Sequence, residues 1–290
     1  MSQIRISGAS TCQATLKLKE NRSINLTKYG PWAVIAGASQ GSGECFSRQL
    51  AEAGFNLVLI ARRQEPLDRL ADELRKLHGI KVRTLALDLM REDAAATMFA
   101  ATADIEVGLY VSNAGSDMHL GTFLSRSLEK TLEIVNFNVR TVTAACYLFL
   151  GPMCARGRGG IILMSSVSAI CGGQPGAGLY SATKAFDLTL AESLSAELRE
   201  QNIDVIGIGA PPMMTPTLLE YGISFGDSKP YEPAEVAATA LALLGKTPSY
   251  IFDFIGVETE PGEVTAASRH ARMTAVRIGF DNMMKAGKAA

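Results

Sequence analysis

What the chain has little of narrows the field first. Net charge is nearly absent: 28 Lys and Arg against 29 Asp and Glu leave a formal −1, which offers no basic surface to a nucleic-acid backbone. Only three histidines occur, His78, His119 and His270. They are too far apart in sequence for a ligand pattern, so no metal is expected. The five cysteines (Cys12, Cys45, Cys146, Cys154, Cys171) form no C-x-x-C pair and read as reduced thiols of a cytoplasmic protein. Long apolar runs are missing too. The longest, TVTAACYLFLGPMCA (141–155), contains Gly151-Pro152 and falls short of the roughly 20 residues a bilayer needs, so a buried or interface helix is expected there and no membrane span. Residues 1–20, MSQIRISGASTCQATLKLKE, hold no sustained apolar stretch of the kind a signal peptide carries.

What is present is enough apolar material for a sizeable core, 47% against 20% charged residues, the balance of a globular chain. Short β-rich runs recur from residue 32: WAVIAG (32–37), NLVLIA (56–61), KVRTLALD (81–88), GLYVSN (108–113), GIILMSS (160–166) and DVIGIGA (204–210). Helical periodicity fills the gaps, as in EPLDRLADELRKLH (65–78) and SATKAFDLTLAESLSAELREQ (181–201). Near-continuous apolar strands separated by helices predict a parallel sheet covered on both faces. With YIFDFIGV (250–257) as a further edge strand, the expectation is an α/β fold of about seven strands in one doubly wound, Rossmann-type domain. That domain spans 29–262, between an N-terminal extension (1–28) and a helical tail (263–290).

The turn after the first run, AGASQGSG (36–43), places glycines at 37, 41 and 43. Glycine serves where the chain turns sharply and where a side chain would keep the backbone from a pyrophosphate. The helix beginning there offers free N–H groups to that anion. An ordinary tight turn would look similar, but its place after the first strand of a βαβ unit favours a dinucleotide. The second strand ends LVLIARRQE, with Ala61 where NAD-preferring sites carry an acid, followed by Arg62 and Arg63. Guanidinium grips a 2′-phosphate through paired hydrogen bonds, so NADP(H) is the expected cofactor. One of the two arginines reads as simply solvated.

Further on, Tyr180 precedes Lys184 by four residues, with only Ser181, Ala182 and Thr183 between them. Positions i and i+4 share a helix face. An ammonium beside a phenol favours the phenolate, which otherwise forms only near pH 10. Such a pair can pass a proton to or from a carbonyl or alcohol oxygen, an effect worth about 10²–10⁴ in rate.

Taken in order, the glycine turn, SNAG (112–115) and YSATK (180–184) resemble the short-chain dehydrogenase/reductase family over roughly residues 30–260. The stretch YGPWAVIAGASQGSGECFSRQLAEAGFNLVLIARR is most similar to its ketoacyl-reductase and hydroxysteroid-dehydrogenase branch. Against the family's TGxxxGxG, this chain has Ala36 for the threonine; Gly37, Gly41 and Gly43 match, with Ser39 and Gln40 inside the turn. Against NNAG it reads Ser112, Asn113, Ala114, Gly115. The resemblance implies that Asp88 binds the adenine ring with Leu89 beside it, and that Asn113, Ala114 and Gly115 line the cofactor. It further implies that Tyr180 is the acid/base and that Lys184 tunes it and holds the nicotinamide ribose. Ser166 would orient the carbonyl, with Ser168 as the alternative, and Asn138 rather than Asn136 would support Lys184. Ser166 lies 14 residues before Tyr180, one more than the family's gap, implying an insertion in loop 171–178. After the sixth strand the chain reads GAPPMMTPTLLEYG (209–222); the family's glycine after the proline is missing, Pro211 aligns, and Thr215 or Thr217 takes the place of the threonine near the nicotinamide amide.

Met213, Met214, Leu218, Leu219, Tyr221 and Phe225, with Met118, Leu120 and Cys171, suggest a hydrophobic carbonyl or alcohol substrate, although surface-helix packing would read alike. The family also implies a homodimer or homotetramer through helices at about 128–150 and 180–200. The expected activity is ketone–alcohol interconversion with NADP(H). The alternatives are a catalytically silent NADPH-binding regulator and an NAD-dependent alcohol dehydrogenase of the same fold.

Overall fold

In the computed structural model, residues 24–116, 121–170, 176–216 and 230–252 are described. A single turn of helix, α1 (Leu26–Tyr29), leads into β1 (Trp32–Ala36), α2 (Gly41–Glu52), β2 (Asn56–Ala61), α3 (Gln64–His78), β3 (Val82–Ala86), α4 (Ala94–Ala100) and β4 (Val107–Ser112). There follow α5 (Leu128–Val135), a π-helical turn (Asn136–Arg140), α6 (Thr141–Arg156), β5 (Gly159–Ser166), α7 (Gly178–Leu198), β6 (Ile203–Ala210), α8 (Pro233–Leu243) and β7 (Ser249–Ile251).

All seven strands join one parallel sheet in the order β3-β2-β1-β4-β5-β6-β7. At its centre Val34 of β1 stands beside Val58 of β2 on one side and Tyr110 of β4 on the other. The chain builds outward from β1 to β3, then crosses back to start again at β4. That reversal opens a crevice beyond the carboxyl ends of β1 and β4, where α/β sheets bind ligands.

Alternate residues of each strand serve opposite cores. Ala33 and Ile35 pack with Phe46, Leu50, Leu67, Leu74 and Val236 under α2, α3 and α8. Val34 and Ala36 face the other layer, with Tyr110, Phe149 and Met153; there the Tyr110 and Phe149 rings stack at 4.8 Å. Burying a leucine or phenylalanine in this way is worth about 1.5–3 kcal/mol. It explains why the central strands β1, β4 and β5 are buried on both faces instead of alternating. Helix α3 shows the same logic in its spacing: Leu67, Leu70, Ala71 and Leu74 are buried. The helix stops at Gly79, whose φ of 68° is the left-handed conformation that ends helices.

Two expected elements form with bounds of their own. The helix foreseen at about 128–150 runs unbroken from Leu128 to Arg156, with Pro152 inside it. Gly151 and Pro152 lie on the exposed side, so the carbonyl that Pro152 leaves without a donor can be hydrated. By length and apolarity this helix could cross a membrane. Here Val142, Ala145, Phe149 and Met153 are buried against the sheet, the role of a core helix. The edge strand foreseen at 250–257 forms as β7, three residues long; residues 253–257 and the tail 263–290 lie outside the described residues, as do residues 1–23.

The start of the described chain is pinned to the far end of the sheet. Ile24 and Tyr29 are buried, and the Tyr29 hydroxyl donates to Asp204 Oδ2 at 2.5 Å. Lys28 Nζ meets the same carboxylate at 2.5 Å. Burial, then the Asp204 carboxylate, pushes the Tyr29 phenol well above the ordinary tyrosine range. Replacing Asp204 by alanine leaves a buried hydroxyl and an ammonium without their shared acceptor. Urea unfolding of Asp204→Ala is expected to lose about 1–3 kcal/mol at unchanged m-value; an unmoved midpoint would show that this anchor contributes nothing.

Candidate active site

The crevice is closed at one end by the glycine turn. Gly37 and Gly41 have φ of 85° and 59°, a region L side chains rarely enter. Gly43 is required for a different reason: a Cβ there would stand 1.8 Å from Gly37 O and 2.7 Å from Asn113 Nδ2. Helix α2 therefore starts pressed onto the strand it leaves, with its first N–H groups at the mouth of the crevice. Asn113 stitches this turn to β4. Its Nδ2 donates to Gly37 O at 3.1 Å and its Oδ1 accepts from Ser42 Oγ at 2.7 Å. The backbone N–H groups of Asn113 and Ala114 both donate to Ala36 O. Ser39 and Gln40 complete the turn, partly exposed.

The neighbouring strand ends bring the other expected contacts to the same edge. Arg62 and Arg63 are exposed just beyond β2, and Arg63 Nη2 donates to Gln40 Oε1 at 3.1 Å, so the second arginine already leans on the glycine turn. Asp88 is exposed beyond β3 and accepts from Met90 N. Leu89 beside it is buried, and its carbonyl accepts from Thr141 Oγ1 at 3.0 Å. Past β6, Pro211 is buried, and Thr215 Cγ2 lies 3.0 Å from where a Cβ on Gly41 would be. The loop after β6 thus reaches across to the turn after β1. Thr217 lies outside the described residues, as do Met118, Leu120, Cys171, Leu218, Leu219, Tyr221 and Phe225; Met214 is exposed.

The second half of the site is set by how α7 sits on β5. Ser165 Oγ donates to Lys184 O at 2.6 Å, and Lys184 Nζ donates to Met164 O at 2.9 Å. These two bonds fix the helix against the strand end. Tyr180 is half-buried in the first turn of α7, one turn ahead of a lysine that is only 2% exposed. Ser165 and Ser166 point opposite ways, as strand alternation requires. Ser165 is buried against the helix, whereas Ser166 is half-buried and accepts from Ser168 N, which leaves its own O–H to donate. The hydroxyl of Ser168, the alternative, is buried without a partner among the described residues.

Asn138 is fully buried in the π-helical turn, a distortion frequent at functional sites. Its Nδ2 donates to Thr183 Oγ1 at 3.0 Å, and Thr183 Oγ1 donates to Tyr180 O at 2.9 Å. Its Oδ1 is buried with no hydrogen-bond partner among the described residues. Gly115 locates that atom: a Cβ on Gly115 would stand 2.6 Å from Lys184 Nζ and 3.3 Å from Asn138 Oδ1. The end of β4, the π turn and α7 therefore converge on one point, with a cation and an unsatisfied acceptor side by side. Asn136 is only partly buried.

A glycine cradle without side chains, open helix N–H groups and an orphaned buried acceptor beside an ammonium suit a dinucleotide along the crevice. The match with known proteins agrees. A family model described as short chain dehydrogenase covers residues 31–222. The chain belongs to the short-chain dehydrogenase family. Members are oxidoreductases that use a nicotinamide cofactor. The chain is 34% identical over 231 residues to a 7beta-hydroxysteroid dehydrogenase of Mediterraneibacter gnavus, covering 77% of this chain and 86% of that one. A solved structure described by insights into 7beta-hydroxysteroid dehydrogenase stereoselectivity superposes with a TM-score of 0.75 at 28% identity, over 88% of this chain and 99% of the other. A short-chain dehydrogenase from Sphingobium yanoikuyae in complex with NADPH gives a TM-score of 0.69 at 26% identity, over 87% and 96%.

Sequence reasoning passed over three side chains of this short-chain dehydrogenase: Ser42 and Thr183, which hold Asn113 and Asn138, and Asp187, whose Oδ2 is 2.9 Å from Lys184 Nζ. The last was visible in principle, since i and i+3 on a helix are neighbours. The cradle's steric logic is directly testable. Gly43→Ala is expected to cost about 1–3 kcal/mol in thermal denaturation and to abolish dinucleotide binding. Gly151→Ala, where an added Cβ meets nothing within 4 Å, should be neutral or slightly stabilising. Equal melting shifts for the two would refute the requirement at 43.

Proposed function

We propose that this chain interconverts a ketone and a secondary alcohol on a hydrophobic, ring-ketone substrate of hydroxysteroid type, with NADP(H). The observation that carries the reading is the convergence on Gly115, where Lys184 Nζ and Asn138 Oδ1 meet at the carboxyl end of β4 beside a glycine cradle. The bound nicotinamide supplies the hydride. Tyr180, at the entrance of α7, gives its hydroxyl proton to the carbonyl oxygen in reduction and takes it back in oxidation. Ser166 donates its free O–H to that same oxygen and holds the carbonyl in line. Lys184 presents its remaining N–H to the nicotinamide ribose while its charge favours the phenolate. Asn138 Oδ1 accepts from a hydroxyl or water next to that ammonium.

Preference for the phosphorylated cofactor rests on what stands at the end of β2. Ala61 supplies no carboxylate to bond ribose hydroxyls or repel a phosphate, and Arg63 already reaches Gln40 in the turn. The neighbour solved with NADPH supports this. The steroid class rests on the relative from Mediterraneibacter gnavus and on the apolar side chains assigned to the substrate side.

In a panel of keto-steroids followed by NADPH absorbance, Tyr180→Phe is expected to bind NADPH normally and lose about 10²–10⁴ in kcat. Full turnover by that variant would remove Tyr180 from the mechanism, and wild-type binding of NADPH without turnover of any ketone would point to a silent regulator. Arg62→Ala/Arg63→Ala is expected to weaken NADPH binding by about tenfold or more while leaving NADH unaffected. Parallel losses for both cofactors would assign the arginines to the surface.

A further inference from the structure

The helix stripe carrying Tyr180 and Lys184 has a third member. Positions i, i+4 and i+7 face one way, and seven residues beyond Tyr180 stands Asp187. It is 2% exposed, and its Oδ2 lies 2.9 Å from Lys184 Nζ. Its other oxygen, Oδ1, is buried with no hydrogen-bond partner among the described residues. Burial holds the carboxyl above the usual carboxylate range, and the lysine only partly offsets this.

Stability gives no reason for such a residue. An ion pair taken fully out of water is no better than well-packed apolar groups, and half of this carboxylate goes unsatisfied. The surroundings do not explain it either. Tyr110 from β4 and Cys146 from α6 lie within electrostatic reach; burial raises the Tyr110 hydroxyl above its ordinary range and pushes the Cys146 thiol up to about 12, so both stay neutral. Met164 O from β5 and the Asn138 and Thr183 side chains are neutral as well. Among the described residues Lys184 is the one cation that Asp187 answers.

An ammonium stripped of water and given no counter-charge sheds its proton readily. Among the described residues Lys184 Nζ has the Met164 carbonyl, Asp187 and the space at Gly115. We infer that Asp187 is a positioning residue of the proton-transfer unit: it holds the Lys184 amine at the inner end of the stripe and keeps it cationic, so that its field reaches Tyr180. This rests on the reading of Tyr180 and Lys184 given above, and extends it to a residue that touches neither substrate nor cofactor.

The test needs no turnover. Tyr180 can be titrated in the full-length apo protein by phenolate difference absorbance, taking each protein against the same protein carrying Tyr180→Phe. Lys184→Met measures what the cation contributes. Asp187→Asn, isosteric and uncharged, is expected to raise the Tyr180 midpoint by roughly one unit, a tenfold change in proton affinity, toward the Lys184→Met value. Asp187→Leu, which fills the same space without a polar atom, should do the same should the amide variant fold poorly. Asp187→Glu should return the midpoint toward wild type. A midpoint raised by Lys184→Met but unchanged or lowered by both Asp187→Asn and Asp187→Leu overturns the inference and leaves the proposed function standing. A midpoint insensitive to Lys184→Met as well would overturn both.

Discussion

The seating of one helix on one strand end decides where the chemistry can happen. Lys184 contributes twice to it, through its main-chain carbonyl to Ser165 Oγ and through its ammonium to Met164 O. Because both partners belong to β5, α7 can neither slide nor rotate without breaking a buried polar contact, and an orphaned buried group costs about 1–3 kcal/mol. With α7 fixed in this way, Tyr180 falls one turn ahead of the lysine, and Ser166 stands where β5 ends. The side chain proposed to tune the acid/base is thus also the one that positions its helix.

Two kinds of electrostatics are kept apart in the crevice. At the β2 edge, Arg62 and Arg63 are exposed, so their charges are screened and act mainly by matching a ligand's own charge. At the β4–β5 end, Lys184 and Asp187 are almost fully buried, with side-chain exposures of 3% each, and little solvent damps their mutual attraction or their reach. A cofactor laid along the crevice would have its polar handle in the screened region and its reactive end in the unscreened one. The arrangement suits a nucleotide whose recognition and whose chemistry occur at opposite ends.

How much of this was legible beforehand depended on whether the information was periodic. The central strands announced themselves through near-continuous apolar runs, because a sheet covered on both faces has no polar side. The glycine turn was legible because steric exclusion at position 43 leaves no other residue type. Tyr180 and Lys184 could be paired from helical spacing alone. Asn138 was proposed by resemblance, but its burial, and an Oδ1 without a partner among the described residues, come from a π-helical turn that no 3.6-residue period encodes. Asp187 was passed over: three residues past a lysine on a helix, a carboxylate has the spacing of an ordinary solvated salt-bridge partner. Only the packing of α7 on β5 and β6 makes it dry. The helix across Pro152 was read from the uncharged apolar run 141–155, although whether a proline breaks a helix depends on whether the freed carbonyl meets water, which is a tertiary fact.

The distribution of constraint also explains why the reaction class follows more directly than the substrate. Each group assigned to proton chemistry stands at a strand end or on a helix locked to one. Rigid elements of this kind hold reacting geometry within the tolerance catalysis needs. The apolar side chains assigned to the substrate belong instead to connections beyond β4, β5 and β6, where one scaffold can change what it accepts without moving what it does. A ring ketone would bind there mainly by excluded water, which is non-directional, while its orientation would come from two hydroxyls fixed to the sheet. Selectivity among ketones and competence toward any ketone are therefore physically separable properties of this fold.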